Sequence, residues 1–171
     1  MSATVRQRGF ERDFEEYARA GRQRLYRTAY LLCGDREHAR DLVQSTLARL
    51  FQHWHRASRA DHIDAYARTV LTRLFLHERR RRLRDLLAHA RPDPAPAAPR
   101  PDLRVTLMAA LGELPPRARA MVVLRYWEDL SVSEVAAQLR CSESTVKSQC
   151  SRSLTRLRAE LGEAHVYTAE Y

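Results

Sequence analysis

Glycine, cysteine and lysine are all scarce in this chain. Five glycines stand in 171 residues, and none are grouped into a Gly-rich loop. A Rossmann or P-loop nucleotide enzyme is therefore not expected, because both bring backbone close to phosphate through clustered glycines. The three cysteines, Cys33, Cys141 and Cys150, are odd in number and far apart. That argues against a disulfide framework and makes the cytosol, hence a cytoplasmic protein, the default expectation. No run of about 18 apolar residues occurs, so no membrane insertion by a spanning helix is expected. The stretch from Met1 to Phe10 is polar and reads as no secretory signal. His53 and His55 bracket Trp54 without the Cys or carboxylate set of a metal site. No Ser-His-Asp or paired-carboxylate pattern stands out. The expectation is a non-enzyme with no cofactor, no metal and no catalytic residue.

Lysine is the scarcest charge. Lys147 is the single lysine among 30 basic residues, and the other 29 are arginine. Against them stand 21 acids, for a formal charge of +9. Residues 1–91 hold 20 basic and 11 acidic residues, whereas residues 103–171 hold 9 and 8. A basic domain points to a polyanion, most often nucleic acid. A hydrophobic share of 44% excludes disorder along the whole chain.

Proline divides the sequence. Five of the seven prolines fall between Pro92 and Pro101. Proline fixes φ and lacks a backbone donor, so this stretch cannot be helix or inner strand. It reads as a semi-stiff tether. The expected organisation is all-α, with two small helical domains at 1–91 and 103–171 joined by a Pro/Ala-rich linker at 92–102.

Apolar spacing is helical on both sides. Ala39, Leu42, Val43, Thr46, Leu47, Leu50, Phe51 and Trp54 recur at threes and fours, behind Asp35 as a plausible N-cap. An earlier segment, from Phe10 through Leu32, ends near Gly34, a C-cap candidate. A third helix is expected from about Ile63 to Arg84, with Ala67, Val70, Leu71, Leu74 and Phe75 inward. In the second half, Pro115 and Pro116 suit the start of a helix running to Trp127. Ser131 or Ser133 then caps a short helix, and a turn at Arg140-Cys-Ser142 leads to a last one from about Glu143 to Leu161.

The segment Ser131 to Cys150 looks like a helix-turn-helix. Ala136 and Ala137 supply small residues where two helices would cross. Val146, Cys150, Leu154, Leu157 and Leu161 form one apolar stripe on the second helix. The opposite face carries Ser144, Thr145, Lys147, Ser148, Ser151, Arg152 and Thr155, with no carboxylate among them. Short donors and cations are what a major-groove helix needs to contact base edges and phosphates without repulsion. Glu143, at the helix start, could cap it or accept from cytosine. Cys141 and Cys150 read as small core residues.

With Leu114-Pro-Pro-Arg117 and Leu124-Arg-Tyr-Trp-Glu-Asp-Leu-Ser131, this module resembles region four of bacterial sigma factors. Alone it would also fit a response-regulator output domain. The first half separates the two. Tyr30 to Phe51 is similar to sigma region two, whose helix typically reads Asp-Leu-Val-Gln-Glu-Thr-Phe, against Asp41-Leu-Val-Gln-Ser-Thr-Leu47 here. Two regions and a linker, over residues 10–162, resemble the extracytoplasmic-function group.

The resemblance implies a subunit that binds core RNA polymerase and promoter DNA at −10 and −35 elements. It implies docking of Asp41, Gln44, Ser45 and Arg49 on the clamp helices of the largest polymerase subunit, with the flap as a further contact. Ser45 stands where the family usually has an acid, and Leu47 where it has an aromatic. The loop Ala57-Ser-Arg-Ala-Asp-His-Ile-Asp64 and the following helix would read the −10 element. A base-capturing site needs cations with flat or small polar groups, which makes Arg59, Asp61, His62 and Tyr66 candidates. An asparagine usual in this helix is missing, and Thr72 and Arg73 occupy its place. Arg79, Arg80, Arg81 and Arg82 suit duplex phosphates. Family members are often held inactive by an anti-sigma factor. The main alternative is a stand-alone helix-turn-helix regulator acting without polymerase, and a metal-dependent nucleic-acid enzyme is a more distant one.

Overall fold

The computed structural model describes residues 2–58, 62–88 and 103–168, and every regular element among them is helical. Contacts divide the chain into two compact units, residues 1–75 and 76–171. The expected linker, 92–102, lies outside the described residues.

The first unit begins with α1 (Ser2–Cys33). Gly21 does not interrupt it, although glycine is a poor helix former. Gly34 ends the helix at φ 76°, where the Gly34 N–H reaches the Tyr30 carbonyl at 2.8 Å. Only a left-handed residue turns the chain there, and glycine adopts that conformation without a Cβ clash. Asp35 starts α2 (Arg36–Gln52), and its side chain accepts from the His38 N–H at 2.8 Å. Both expected caps are present. Ala39, Leu42, Val43, Thr46 and Leu50 are buried, as the spacing required.

The expected run to Trp54 is broken at His53, which leaves helical geometry at φ −118° and ψ 18°. A single turn, α3 (Trp54–Ala57), follows. The break turns Trp54 inward against Phe14 and Tyr17 of α1, with ring centroids 5.2 and 5.4 Å away. Phe51 meets Phe10 and Phe14 edge-on at 5.4 and 5.0 Å. Edge-to-face geometry places the positive ring edge on the negative face of its neighbour. Next comes α4 (Ile63–Ala88), whose residues up to Phe75 belong to the first unit and the rest to the second; Ala67, Leu71 and Phe75 are buried and Val70 and Leu74 half-buried.

The second unit holds α5 (Leu103–Gly112) and α6 (Pro116–Val122). Proline at the first position of α6 loses no hydrogen bond, because that N–H has no helical acceptor. The expected helix to Trp127 instead opens into a π-helical turn, Val123–Trp127, closed by Glu128 N–H on the Val123 carbonyl at 3.1 Å. The wider turn shifts the face. Leu124 is buried, whereas Tyr126 and Trp127 are just over half exposed.

Ser131, not Ser133, caps α7 (Val132–Leu139). Its hydroxyl accepts from the Glu134 N–H at 3.2 Å, and the Glu134 carboxylate accepts from the Ser131 N–H at 2.7 Å. This reciprocal pair satisfies two donors the helix itself cannot. Arg140 then takes the left-handed conformation, φ 52° and ψ 58°. The last helix, α8 (Glu143–Thr168), is longer than the spacing implied. Met121, Leu124, Leu130, Val135, Ala136, Leu139, Val146 and Cys150 form one hydrophobic core.

Candidate nucleic-acid interface

In the second unit, Val146, Cys150 and Leu157 of α8 are buried and Leu154 and Leu161 half-buried, so the apolar stripe points inward as expected. Ser153 is buried beside it, which spacing did not reveal. Ala136 is in the core, but Ala137 is exposed and takes no part in the helix crossing. The opposite side presents Glu143, Ser144, Lys147, Ser148, Ser151 and Arg152 to solvent, with Thr145 half-buried at its edge. From Ser144 to Ala159 there is no carboxylate.

Local hydrogen bonds set the polarity of this face. Ser142 caps α8, its oxygen accepting from the Thr145 N–H at 3.1 Å. The Ser148 hydroxyl donates to the Thr145 carbonyl at 3.1 Å, and Thr155 donates to Ser151 at 3.1 Å. With their protons directed into the helix, both oxygens offer lone pairs outward. Arg152 Nε donates to the Ser148 carbonyl at 3.3 Å, which lays the guanidinium along the helix. The face thus combines acceptors with the cations of Lys147 and Arg152. Glu143 sits in the first turn, where the helix dipole favours an anion.

In the first unit, Asp41, Gln44, Ser45 and Arg49 share the exposed face of α2, while Leu42, Val43 and Leu50 point inward. By spacing Phe51 belongs to the inward stripe of α2. It is 41% exposed, two helical turns beyond Gln44 on the same side, and adds an apolar end to this polar face.

Arg59 and Asp61 lie outside the described residues. His62 is exposed just before α4, and Tyr66 is half-buried in its first turns. Thr72 and Arg73 part company. Thr72 is buried, and its hydroxyl donates to the Arg68 carbonyl at 2.9 Å. Arg73 is exposed, so of the two it alone can reach a ligand from α4. Arg80, Arg81 and Arg82 are exposed, Arg79 is half-buried, and Arg81 lies 4.0 Å from Asp85.

A polar cluster escaped the sequence reading. Asp64, in the first turn of α4, accepts from the Tyr17 hydroxyl at 3.1 Å and pairs with Arg24. Tyr17 and Arg24 stand seven residues apart on one face of α1, with the buried Gly21 between them. A Cβ at Gly21 would lie 3.6 Å from the Tyr17 ring and 3.7 Å from the Arg24 guanidinium. Burial, then the Asp64 carboxylate, pushes the Tyr17 phenol well above its usual pKa, so it stays a donor at alkaline pH where a free phenol ionises. The seven-residue spacing on α1 was readable, but a partner 40 residues away was not.

Among the described residues, no three His, Cys, Asp or Glu gather as metal ligands, and no helix is long and apolar enough to cross a membrane. Cys150 is in the core, Cys141 packs partly against it, and Cys33 is half-buried.

Comparison with known proteins bears on these faces. Residues 17–85 match the family described as sigma-70 region 2, and residues 104–157 match sigma-70, region 4. The chain is 38% identical over 155 residues to the RNA polymerase sigma-E factor of Streptomyces coelicolor, covering 87% of this chain and 86% of that protein. It is 35% identical over 168 residues to the ECF RNA polymerase sigma factor SigE of Mycolicibacterium smegmatis, covering 92% of this chain and 65% of that one. The fold is similar to the sigma factor RpoE of Bartonella quintana, solved in complex with the anti-sigma factor NepR. That similarity has a TM-score of 0.74 at 24% identity, over 88% of this chain and 97% of that one. These matches run through both units, whereas a stand-alone regulator would share only the helix-turn-helix. The chain belongs to the extracytoplasmic-function sigma factors of bacterial RNA polymerase.

Proposed function

We propose that this sigma factor directs promoter-specific transcription initiation by dividing its contacts among three surfaces. The exposed face of α8, from Glu143 to Arg152, reads −35 duplex in the major groove. Residues of the 57–64 segment and α4, namely Arg59, Asp61, His62, Tyr66 and Arg73, read the −10 element. Arg79, Arg80, Arg81 and Arg82 grip adjoining phosphates. The face of α2 with Asp41, Gln44, Ser45 and Arg49, extended by Phe51, docks on the clamp helices of core polymerase. The flap is a further polymerase contact, and an anti-sigma factor would act by covering such faces. Domains at 1–91 and 103–171, tethered through 92–102, allow one subunit to reach two separated elements. Catalysis belongs to the polymerase, and the protein acts where polymerase and genome meet, in the cytoplasm.

The observation that carries this reading is the polar face of α8, free of carboxylates from Ser144 through Arg152, behind a buried apolar stripe. Phosphate contacts supply affinity and base-edge contacts supply sequence choice. The test is run-off transcription with purified core polymerase on genomic fragments. Lys147→Ala with Arg152→Ala is expected to reduce −35-dependent initiation at least roughly tenfold, since each specific contact carries about 1–3 kcal/mol. Unchanged promoter use would refute the assignment of this face. Failure to bind core polymerase would sink the docking surface.

A further inference from the structure

We propose that Tyr17 is a positioning residue for −10 recognition, holding the helical ends on either side of the 58–62 segment at a set spacing. It rests on the reading above, in which this segment and α4 contact the −10 element.

Tyr17 touches both flanks with one side chain. Its ring lies 5.4 Å from that of Trp54, which opens α3 before the segment. Its hydroxyl donates to Asp64 Oδ1 at 3.1 Å in the first turn of α4, after the segment. Arg24 pairs with the same Asp64 oxygen, so the carboxylate is held from two points on α1. Asp64 stands two residues before Tyr66 and two after His62, and a shift of its turn moves both. The ion pair is half exposed and by itself contributes little stability. Its effect is geometric. A misplacement of about 1 Å at a site can cost far more in function than in folding.

The test uses full-length protein in holoenzyme with purified core polymerase. Variants are Tyr17→Phe, Asp64→Ala, their double, and Tyr66→Ala as a control for −10 contact. Open-complex formation is followed by permanganate reactivity of −10 thymines, alongside core affinity and the thermal midpoint. Tyr17→Phe keeps the ring on Trp54 and removes only the hydroxyl. We expect Tyr17→Phe and Asp64→Ala each to lower open-complex formation by roughly three- to tenfold, the range for losing one ordinary, half-exposed hydrogen bond. The double should be no worse than the poorer single, and core affinity should stay unchanged. If Tyr66→Ala lowers opening but Tyr17→Phe does not, the positioning role is overturned and the −10 reading stands. If Tyr66→Ala leaves opening unchanged, the −10 reading falls and this role with it. Additive effects of Tyr17→Phe and Asp64→Ala, or loss of core affinity in parallel with opening, would also overturn the proposal.

Discussion

At the scale of single residues, Thr72 and Arg73 show what one helical step decides. Both fill the place of a missing asparagine, and the sequence offered no means of choosing between them. Packing of α4 buries Thr72 and leaves Arg73 outside. Arg73→Ala is therefore expected to weaken binding of a single-stranded −10 oligonucleotide, while Thr72→Val should leave it unchanged. Arg140 is a second case. It holds φ 52°, a conformation costing a residue with a Cβ about 1–2 kcal/mol. Arg140→Gly is expected to raise the thermal midpoint of the second unit by a few degrees, at about 4–8 °C per kcal/mol. Cys150 is a third. Burial pushes its thiol above the usual pKa, partly offset by Arg125. Less thiolate is then present at a given pH, and onset of reaction moves to higher pH. Mass spectrometry after brief alkylation at pH 8 should find Cys150 modified later than Cys33 and Cys141.

At the scale of elements, local chemistry set most helix ends. Gly34, Asp35, Pro116 and Ser131 each act through their own backbone or side chain within four residues, so their roles were readable in order along the chain. Ser131→Ala should cost about 1 kcal/mol, as N-cap losses do, read as a lower denaturation midpoint. Glu134→Ala added to it should lower the midpoint further, because the Glu134 carboxylate accepts from a separate donor, the Ser131 N–H, which the first substitution leaves in place. Where the helices depart from 3.6-residue spacing, a tertiary demand overrides local preference. The turn at His53 lets Trp54 face Phe14 and Tyr17. The π-helical turn keeps Leu124 in the core while turning Tyr126 and Trp127 outward. Neither event has a signal in 3.6-residue spacing, since each changes the period itself.

At the scale of the whole molecule, the formal charge of +9 lies in residues 1–91, while residues 103–171 are nearly neutral. The structure replaces that imbalance with two local ones, the exposed arginines of α4 and the face of α8 that carries no acid from Ser144 to Arg152. Promoter affinity should fall linearly with salt on logarithmic axes, and replacing Arg80 or Arg82 with Ala should each lessen the slope by about 0.9 if it neutralises one duplex phosphate. An unchanged slope would remove that residue from the phosphate contacts. The all-helical class, the two motifs in order and the polar faces of α2 and α8 were determined by sequence alone. Each rests on residues three or four apart, a distance that helix geometry fixes without help from the rest of the chain. The Tyr17–Asp64–Arg24 cluster, the burial of Thr72 against the exposure of Arg73, and the partial exposure of Phe51 beside Phe10 and Phe14 were decided only by tertiary structure. They depend on segments far apart in the chain meeting at particular rotations, and spacing along one helix carries no information about its neighbour's rotation.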